Sequence, residues 1–210
     1  MSDKKGLKDA YSIKTPQDSI NLYRVWSPTY DKDFAEKNDY RSPKEIASYF
    51  EKYCNEKDTP ILDVGAGTGL VGQCLKEKNK SNIHAIDISP ESLEIAKSKN
   101  CYTKLLEADL TEKLNIENNS YGAIVSAGTF THGHIGPNVL DELLRITKSN
   151  GLFVITVHSK HFKNTSFNKK LSVIANTISK PNFHEVKAYG NNLDKNHSND
   201  TVIITVFRKK

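Results

Sequence analysis

The sequence contains few cysteines and no long apolar run. Cys54, Cys74 and Cys101 lie far apart and form no C-x-x-C pair, which argues against disulfide bonds, structural zinc and a paired redox site. No apolar stretch is long enough to cross a bilayer, and residues 1–10 are polar and lysine-rich, without the apolar segment of a secretion signal. We therefore expect a cytoplasmic protein with buried thiols, no metal site and no membrane association.

The chain also lacks a strong excess of charge of either sign. Its 30 lysine and arginine residues against 25 aspartate and glutamate residues give a formal charge of +5, and the basic residues are spread along the chain. This balance is weak support for a nucleic-acid partner, which we do not expect. With 210 residues, of which 37% are hydrophobic, one domain with a full core is expected. We predict a flexible arm over residues 1–20 and a single domain over residues 21–210, in which residues 21–57 form an N-terminal lid and a helix.

The most informative stretch is a short apolar run, residues 61–64, that ends at closely spaced glycines. Gly65 and Gly67 belong to a predicted tight turn, and the apolar spacing after the turn predicts a helix. Because glycines allow a ligand to lie against the backbone, this turn predicts a cofactor-binding cradle. Residues 67–72 also match G-x-G-x-x-G, so a dinucleotide is an alternative, although Asp63 at the strand end would repel a phosphate.

Aspartates also follow the next two predicted strands. Asp87 lies near the end of the strand predicted over residues 82–89, and Asp109 lies near the end of the strand predicted over residues 102–110. An acid in the position of Asp87 can accept hydrogen bonds from both ribose hydroxyls, which fits several adenosine-containing cofactors. Since an open parallel sheet binds its ligand outside the carboxyl ends of the strands, these acids predict an adenosine site there.

The motif Asp63-x-Gly65-x-Gly67-x-Gly69 resembles the first motif of the class I S-adenosylmethionine-dependent methyltransferases. The resemblance implies that Asp63 lies close to the amino-acid part of the cofactor and that Asp109 holds the adenine amino group. It implies S-adenosyl-L-methionine as the cofactor and S-adenosyl-L-homocysteine as the product. The predicted cofactor-binding residues are Asp63, Gly65, Ala66, Gly67, Asp87, Ile88, Asp109, Leu110, Ser126, Ala127, Trp26 and Tyr30.

Further stretches resemble the methyltransferase-like group named after the Williams–Beuren syndrome chromosome region. They are Trp26-Ser-Pro-Thr-Tyr30-Asp31, Tyr40-Arg-Ser-Pro43 and residues 125–137. We expect Trp26, Tyr30 and Tyr40 to form a lid over the cofactor, because aromatic faces attract a sulfonium by about 0.5–2 kcal/mol. Packing of these rings in the core is an equal alternative, and for Phe34 it is the preferred one.

The resemblance also implies the fold, an α/β, Rossmann-like, doubly wound sheet of seven strands in the order 3-2-1-4-5-7-6. The last two strands are predicted over residues 183–189 and 201–208, and the polar loop between them has no room for a helix. They must therefore pair antiparallel, as a C-terminal hairpin that a dehydrogenase does not have. We also predict that Ser42 caps a helix within a capping box and that Ser89 caps a second helix.

Histidines follow the fourth and fifth predicted strands. His132 and His134 lie in a glycine-flanked loop, where they could act as a general base near neutral pH or orient a substrate, and they are the predicted catalytic residues. Solvated loop histidines are an equal alternative. His158, Ser159 and His161 follow the fifth strand and are second candidates for the substrate pocket.

The predicted function is transfer of a methyl group to a small-molecule acceptor by in-line displacement, for which positioning is the principal catalytic contribution. No Asn-Pro-Pro-Tyr or Asp-Pro-Pro-Tyr follows the fourth strand and no Pro-Cys pair occurs, which disfavours methylation of nucleobases. An RNA or protein methyltransferase is an alternative, supported by the basic residues 207–210, and an NAD-binding oxidoreductase is a further one. The sequence predicts neither the acceptor nor the oligomeric state.

Overall fold

The computed structural model describes residues 6–10, 12–130, 135–164, 167–190 and 200–210. Within these ranges the chain forms a mixed sheet of seven strands that is flanked by helices. The strands are β1 Ile61–Val64, β2 Ile83–Asp87, β3 Lys104–Glu107, β4 Tyr121–Phe130, β5 Thr147–His158, β6 Asn182–Lys187 and β7 Thr201–Arg208.

The strand order is β3-β2-β1-β4-β5-β7-β6, which confirms the predicted α/β, Rossmann-like fold. Strands β1 to β5 pair in parallel, whereas β7 pairs antiparallel with both β5 and β6. The β6–β7 hairpin is therefore the one predicted at the C-terminus. Because the strand order reverses between β1 and β4, the carboxyl ends of these two strands border the crevice where an open α/β sheet binds its ligand.

Helices cover both faces of the sheet. They are α1 Leu7–Ala10, α2 Pro16–Tyr30, α3 Ser42–Tyr53, α4 Leu70–Glu77, α5 Pro90–Ser98, α6 Val139–Ile146, α7 Ser159–Asn164 and α8 Phe167–Val173, with a π-helix, Asp31–Glu36, directly after α2. Phe50 of α3 and Leu75 of α4 belong to one apolar cluster of the sheet, and Leu140 of α6 and Phe167 of α8 belong to a second. In the described part of the chain, no helix has the length and apolar character that a membrane span requires.

The two predicted helix caps differ in outcome. Ser89 caps α5 as predicted, because its hydroxyl accepts a hydrogen bond from the Ser92 amide at 3.2 Å. The capping box at Ser42 is wrong, since Ser42 is itself the first helical residue and the preceding Arg41 makes no side-chain cap. Ser42 is buried beside the cavity described below, so its hydroxyl faces the protein interior.

The N-terminal residues pack on the domain more closely than the predicted boundary at residue 20 implies. Thr15 caps α2 with a capping box: its hydroxyl accepts from the Asp18 amide at 3.1 Å, and the Asp18 carboxylate accepts from the Thr15 amide at 3.0 Å. Ala10 and Ile13 are buried in an apolar cluster with α2. The boundary at residue 20 thus falls inside α2, and the flexibility of residues 1–20 stays a prediction.

The basic C-terminal residues are held by the protein itself. The Arg208 guanidinium donates to both oxygens of the buried Asp58 carboxylate, at 2.8 and 3.0 Å. The ammonium groups of Lys209 and Lys210 donate to main-chain carbonyls at 2.7 and 3.2 Å. Arg208 pairs with Leu152 at the start of the apolar part of β5, far along the strands from the ligand crevice. These cations therefore stabilise the side of the sheet at the amino-terminal ends of its parallel strands.

Candidate functional site

A cavity lies at the carboxyl ends of the strands, between the sheet and the N-terminal helices. Its wall contains the turn after β1, the ends of β2, β4 and β5, the segment after β3, and residues of α2 and the π-helix. Of the residues predicted to bind the cofactor, those in the wall are Trp26, Tyr30, Gly65, Ala66, Gly67, Asp87, Ile88, Asp109, Leu110 and Ala127. The structure therefore brings together residues that are up to 101 positions apart in the chain, from Trp26 to Ala127.

The turn after β1 is fastened to the end of β2 by Asp87. One oxygen of the Asp87 carboxylate accepts from the Gly67 amide at 2.7 Å, and the other accepts from the Ser89 amide at 2.9 Å. Burial raises the pKa of Asp87 above that of an ordinary aspartate, while these main-chain donors oppose the rise. Gly67 has φ +52°, and no atom lies within 4 Å of the place where a Cβ would stand. A ligand can therefore approach the bare backbone beside a carboxylate.

Asp63 lies behind the cavity wall rather than in it. The side chain is fully buried, and the Tyr102 hydroxyl donates to one of its oxygens at 2.6 Å while accepting from the Gly72 amide at 3.1 Å. Burial raises the pKa of Asp63 to about 7, and the negative charge of the nearby Asp87 adds to the rise. No sequence pattern pointed to Tyr102, which reaches Asp63 across 39 positions of the chain.

The remaining predicted residues near the strand ends divide between the cavity and the core. Asp109 lines the cavity after the end of β3, and its carboxylate accepts from the amide and the hydroxyl of Thr111 at 2.8 and 2.7 Å. Ser126 is fully buried outside the cavity wall, and its hydroxyl donates to the Val64 carbonyl at 2.6 Å. Ser126 therefore joins β4 to β1, and Ala127 is the member of this pair that faces the cavity.

The aromatic residues of the N-terminal segment line the cavity and also pack in an apolar cluster. Trp26, Tyr30 and Tyr40 line the cavity, yet Trp26 is only 2% exposed and belongs to an apolar cluster. Phe34, which we expected only to pack, lines the cavity too. Its ring centre lies 5.3 Å from that of Trp26, 5.7 Å from that of Tyr40 and 5.9 Å from that of Tyr189. The packing alternative is thus realised for these rings, and their role as a lid over the cofactor stays a prediction.

Polar contacts hold this lid against the sheet side of the cavity. The Thr68 hydroxyl, in the glycine turn, donates to one oxygen of Asp31 at 2.5 Å, and the Lys99 ammonium lies 2.5 Å from the other oxygen. The Ser27 hydroxyl lies 2.6 Å from that of Ser92 in α5. Asp31 ends the stretch Trp26-Ser-Pro-Thr-Tyr30-Asp31 described above, but no sequence pattern predicted its contacts with Thr68 and Lys99. The π-helix therefore contacts the glycine turn directly.

The predicted catalytic histidines cannot be placed, because His132 and His134 lie outside the described residues. His158, a second candidate, lines the cavity at the end of β5, with its Nε2 4.0 Å from a carboxylate oxygen of Asp200. Ser159 is buried and accepts from the Thr201 hydroxyl at 2.7 Å, outside the cavity wall. The His161 side chain lies outside the described set. In the described part of the chain, no cluster of metal-ligand residues forms.

The geometry of the turn disagrees with a dinucleotide cradle. The Gly67 amide, which would face a pyrophosphate, donates to the Asp87 carboxylate instead. The third glycine of the pattern serves packing, since a Cβ on Gly72 would lie 2.3 Å from the Tyr102 ring. Packing against Tyr102 therefore explains the glycine at position 72, and the geometry of the turn gives no support to the NAD-binding alternative.

Comparison with known proteins finds similarity to methyltransferases. Residues 62–155 match the family described as methyltransferase domain. The chain is 29% identical to methyltransferase-like protein 27 of Homo sapiens over 161 residues, which are 73% of this chain and 63% of that protein. It is 33% identical to malonyl-[acyl-carrier protein] O-methyltransferase of Halalkalibacterium halodurans over 115 residues, 50% of this chain and 42% of that protein. The chain thus spans less than two thirds of the length of either relative.

Among solved structures, the fold is similar to that of phosphoethanolamine N-methyltransferase 2 of Haemonchus contortus, bound to phosphomonomethylethanolamine and S-adenosylhomocysteine. The TM-score is 0.65 with 15% sequence identity, and the match covers 95% of this chain and 60% of that one. At this identity the likeness establishes the fold. In that structure the fold binds S-adenosylhomocysteine, and the open backbone at Gly67 beside Asp87 in this chain fits such a ligand.

Proposed function

We propose that this chain is a class I S-adenosylmethionine-dependent methyltransferase that transfers a methyl group to a small-molecule acceptor inside the cavity. The observation that carries the proposal is the cavity itself, in which the glycine turn and two acidic strand ends lie opposite the aromatic side chains of α2 and the π-helix. An acceptor that reacts there has to fit beneath α2 and the π-helix, and the contact between Asp31 and Thr68 closes the space above the turn. Such an enclosure suits a small molecule better than a polymer.

Each part of the wall has a distinct role in the proposal. Asp87 would bind the ribose hydroxyls, and Asp109 with Leu110 would border the adenine. The indole N–H of Trp26 is buried and has no hydrogen-bond partner among the described residues, so it is available to a polar group of the ligand. Gly65, Ala66 and Gly67 supply bare backbone against which the ligand lies.

The chemistry requires little of the protein beyond alignment and exclusion of water. The bound sulfonium supplies an electrophilic methyl group, and the acceptor has to meet it in line. The lid excludes water because its aromatic side chains close the cavity from the side opposite the strands. His158 borders the cavity at β5 and is the described histidine placed to orient an acceptor or to receive its proton. The roles of His132 and His134 stay predictions.

A macromolecular acceptor is less well supported. The sequence feature that favoured RNA was the basic C-terminus, and its three cations bind Asp58 and main-chain carbonyls at the opposite edge of the sheet. A cation that is already paired releases little free energy when it meets a phosphate, because the first pair has to break. The acceptor proposal therefore favours a small molecule.

The single tryptophan of the chain makes the proposal measurable, because Trp26 lies in the cavity wall. We expect S-adenosylhomocysteine to change the intrinsic fluorescence of the protein and NADH and ATP not to compete for the site. Trp26→Phe tests the origin of the signal: the fluorescence change should be lost, and calorimetry should show binding weakened by no more than about tenfold, the loss expected for one hydrogen bond. Competition by NADH, or calorimetry without any binding of S-adenosylhomocysteine, would contradict the cofactor site.

The acceptor class is tested separately with labelled S-adenosylmethionine. The purified protein is incubated with a low-molecular-weight cell extract, with total RNA or with mixed proteins, and the products are separated on a filter that retains macromolecules. We expect label in the filtrate of the first reaction and none on RNA or protein. Label that is retained with either polymer would instead establish a macromolecular acceptor.

A further inference from the structure

The cavity has a second region that the cofactor-binding residues do not account for. The adenosine side, with Asp87 and Asp109, lies at β2 and β3, whereas the wall continues across β4 to the ends of β5 and β7. We name the region on that side the aromatic chamber and define it by Phe34, Tyr40, His158 and Tyr189, with Trp26 at its border. An acceptor would enter here, because the strand order places this region on the other side of the switch point from the adenosine.

The rings of the aromatic chamber form a continuous surface. The ring centres of Tyr40 and Tyr189 lie 5.6 Å apart, and Phe34 contacts both of them and also Trp26 at separations of 5.3–5.9 Å. The backbones of Tyr40 and Tyr189 are joined by a β-bridge, which fixes their rings relative to each other. A rigid group of aromatic faces offers negative electrostatic potential to a cation, and several rings act together.

The Tyr40 hydroxyl lies where the acceptor would meet the cofactor. A Cβ on Gly128 would stand 2.6 Å from this hydroxyl oxygen, so Tyr40 reaches over β4 at the switch point. Burial raises the pKa of Tyr40 to about 12, so the hydroxyl stays neutral at physiological pH. The aromatic chamber therefore adds no anion of its own and no strong base at this point.

The charges around the cavity are of one sign. Asp87 and Asp109 line it and the buried Asp63 lies behind it, while no lysine or arginine is found in the wall among the described residues. Burial and the negative charge of Asp87 raise the pKa of Asp63, which shows that nearby cations do not compensate this carboxylate. A carboxylate or phosphate acceptor would have to lose its hydration without meeting a cationic side chain, which is costly. A cationic or basic acceptor does not have this cost, because aromatic faces and carboxylates attract it.

We infer that the aromatic chamber is the acceptor subsite and that the acceptor is an amine. The inference deepens the proposed function and rests on it. The rings of the aromatic chamber attract cationic amines, and the small fraction that is unprotonated reacts. The amine lone pair forms the new carbon–nitrogen bond, the electrons of the carbon–sulfur bond stay on sulfur, and the product ammonium releases one proton to water.

Binding of charged and neutral isosteres tests the inference without turnover. Benzyltrimethylammonium, its uncharged analogue neopentylbenzene and the anion phenylacetate are titrated against the protein saturated with S-adenosylhomocysteine, with Trp26 fluorescence and calorimetry as readouts. We expect the ammonium to bind about tenfold more tightly than the uncharged analogue and phenylacetate to bind most weakly. Equal affinity of the first two probes, or tighter binding of phenylacetate, would overturn the amine assignment.

A pair of variants at one ring provides the matched control. Tyr189→Phe keeps the aromatic face and should keep the ammonium preference, whereas Tyr189→Leu should reduce it at least threefold. Affinity for S-adenosylhomocysteine reports in both variants whether the cofactor side is folded. If the wild-type protein does not bind S-adenosylhomocysteine, the proposed function is refuted. If it binds S-adenosylhomocysteine but does not prefer the ammonium probe, only the acceptor assignment is refuted. An unchanged preference in Tyr189→Leu would remove the aromatic chamber from the explanation.

Discussion

The Thr68 hydroxyl donates a hydrogen bond to the Asp31 carboxylate at 2.5 Å, and this contact joins the N-terminal lid to the glycine turn. The same carboxylate pairs with the Lys99 ammonium at the end of α5, so one side chain ties together three separate segments. Thr68 is itself 3% exposed, and Lys99 keeps only 15% of its side chain exposed. The contact is therefore shielded from solvent more than an ordinary surface pair.

We predict that Asp31→Ala weakens the binding of S-adenosylhomocysteine about 3- to 10-fold, because roughly 1 kcal/mol of lid closure is lost. Calorimetry measures the affinity, and limited proteolysis of the free protein should cleave α2 faster in the variant. Asp33→Ala, an exposed acid of the same π-helix, is the control. If the variant has the affinity of the wild-type protein and its α2 is cleaved at the same rate, the role of Asp31 is contradicted.

We predict that Asp87→Ala weakens binding of the cofactor and its product by about 10- to 100-fold, the loss expected when a carboxylate no longer accepts ribose hydroxyls. The substitution also removes the acceptor of the Gly67 amide, so the turn loosens at the same time. Affinity is measured by calorimetry, with the melting temperature of the free protein as a check on folding. Glu107→Gln, an exposed acid at the end of β3, serves as the control and should bind normally.

The buried Asp63 predicts how stability depends on pH. Its folded-state pKa of about 7 lies above the ordinary value of 3.8, so between about pH 4 and pH 7 the folded state binds more protons than the unfolded state. The free energy of unfolding therefore falls as the pH rises through this window, and the contribution is fully present only below it. The raised pKa of Asp87 acts in the same direction.

We expect Asp63→Asn to reduce that fall by about 2–4 kcal/mol between pH 4.5 and pH 8, because asparagine can still accept from Tyr102 but does not titrate. Urea unfolding of both proteins at the two pH values measures the difference. Glu107→Gln should leave the pH dependence as it is in the wild-type protein. The same slope in wild type and Asp63→Asn would show that Asp63 is ionised throughout.

The ion pair between Arg208 and Asp58 predicts that a single substitution destabilises the protein more than a double substitution does. Arg208→Met should lower the free energy of unfolding by about 3–5 kcal/mol, because Asp58 is 4% exposed and would be left as a buried charge without its partner. Asp58→Asn together with Arg208→Met should regain a large part of that loss. Chemical denaturation measures both variants. A double variant no more stable than Arg208→Met alone would place the effect in lost packing instead.

The parts of the site that depend on short spacings between residues could be predicted from the sequence. The strand, glycine turn and helix around Gly65 are encoded within about a dozen residues, and Asp87 follows from its position at the end of a recognisable strand. The antiparallel pairing of the last two strands could be predicted because the polar loop before residue 201 allows no helix, whereas the order of the strands was implied by the resemblance to a known family. Such features can be predicted from a single sequence because they depend on the local geometry of the backbone.

The sequence could not show which side of a strand end faces the ligand. Asp63 and Ser126 lie at predicted positions, yet both turn into the core, where Tyr102 and the Val64 carbonyl bind them. These partners are remote in the chain and belong to no motif, so only three-dimensional packing reveals them. The same holds for Phe34, whose ring both packs and borders the cavity because the lid is one layer thick.

The aromatic lid has an apolar cluster of its own, apart from the two clusters that flank the sheet. Trp26, Phe34 and Leu22 bury most of their area within it, together with Tyr189 and Val202 at the β6–β7 edge. The lid can therefore unfold locally as one cooperative unit at a smaller free-energy cost than global unfolding. Amide protons of α2 should exchange with deuterium sooner than those of β4, and the opening rate of this unit sets an upper limit on how fast product leaves.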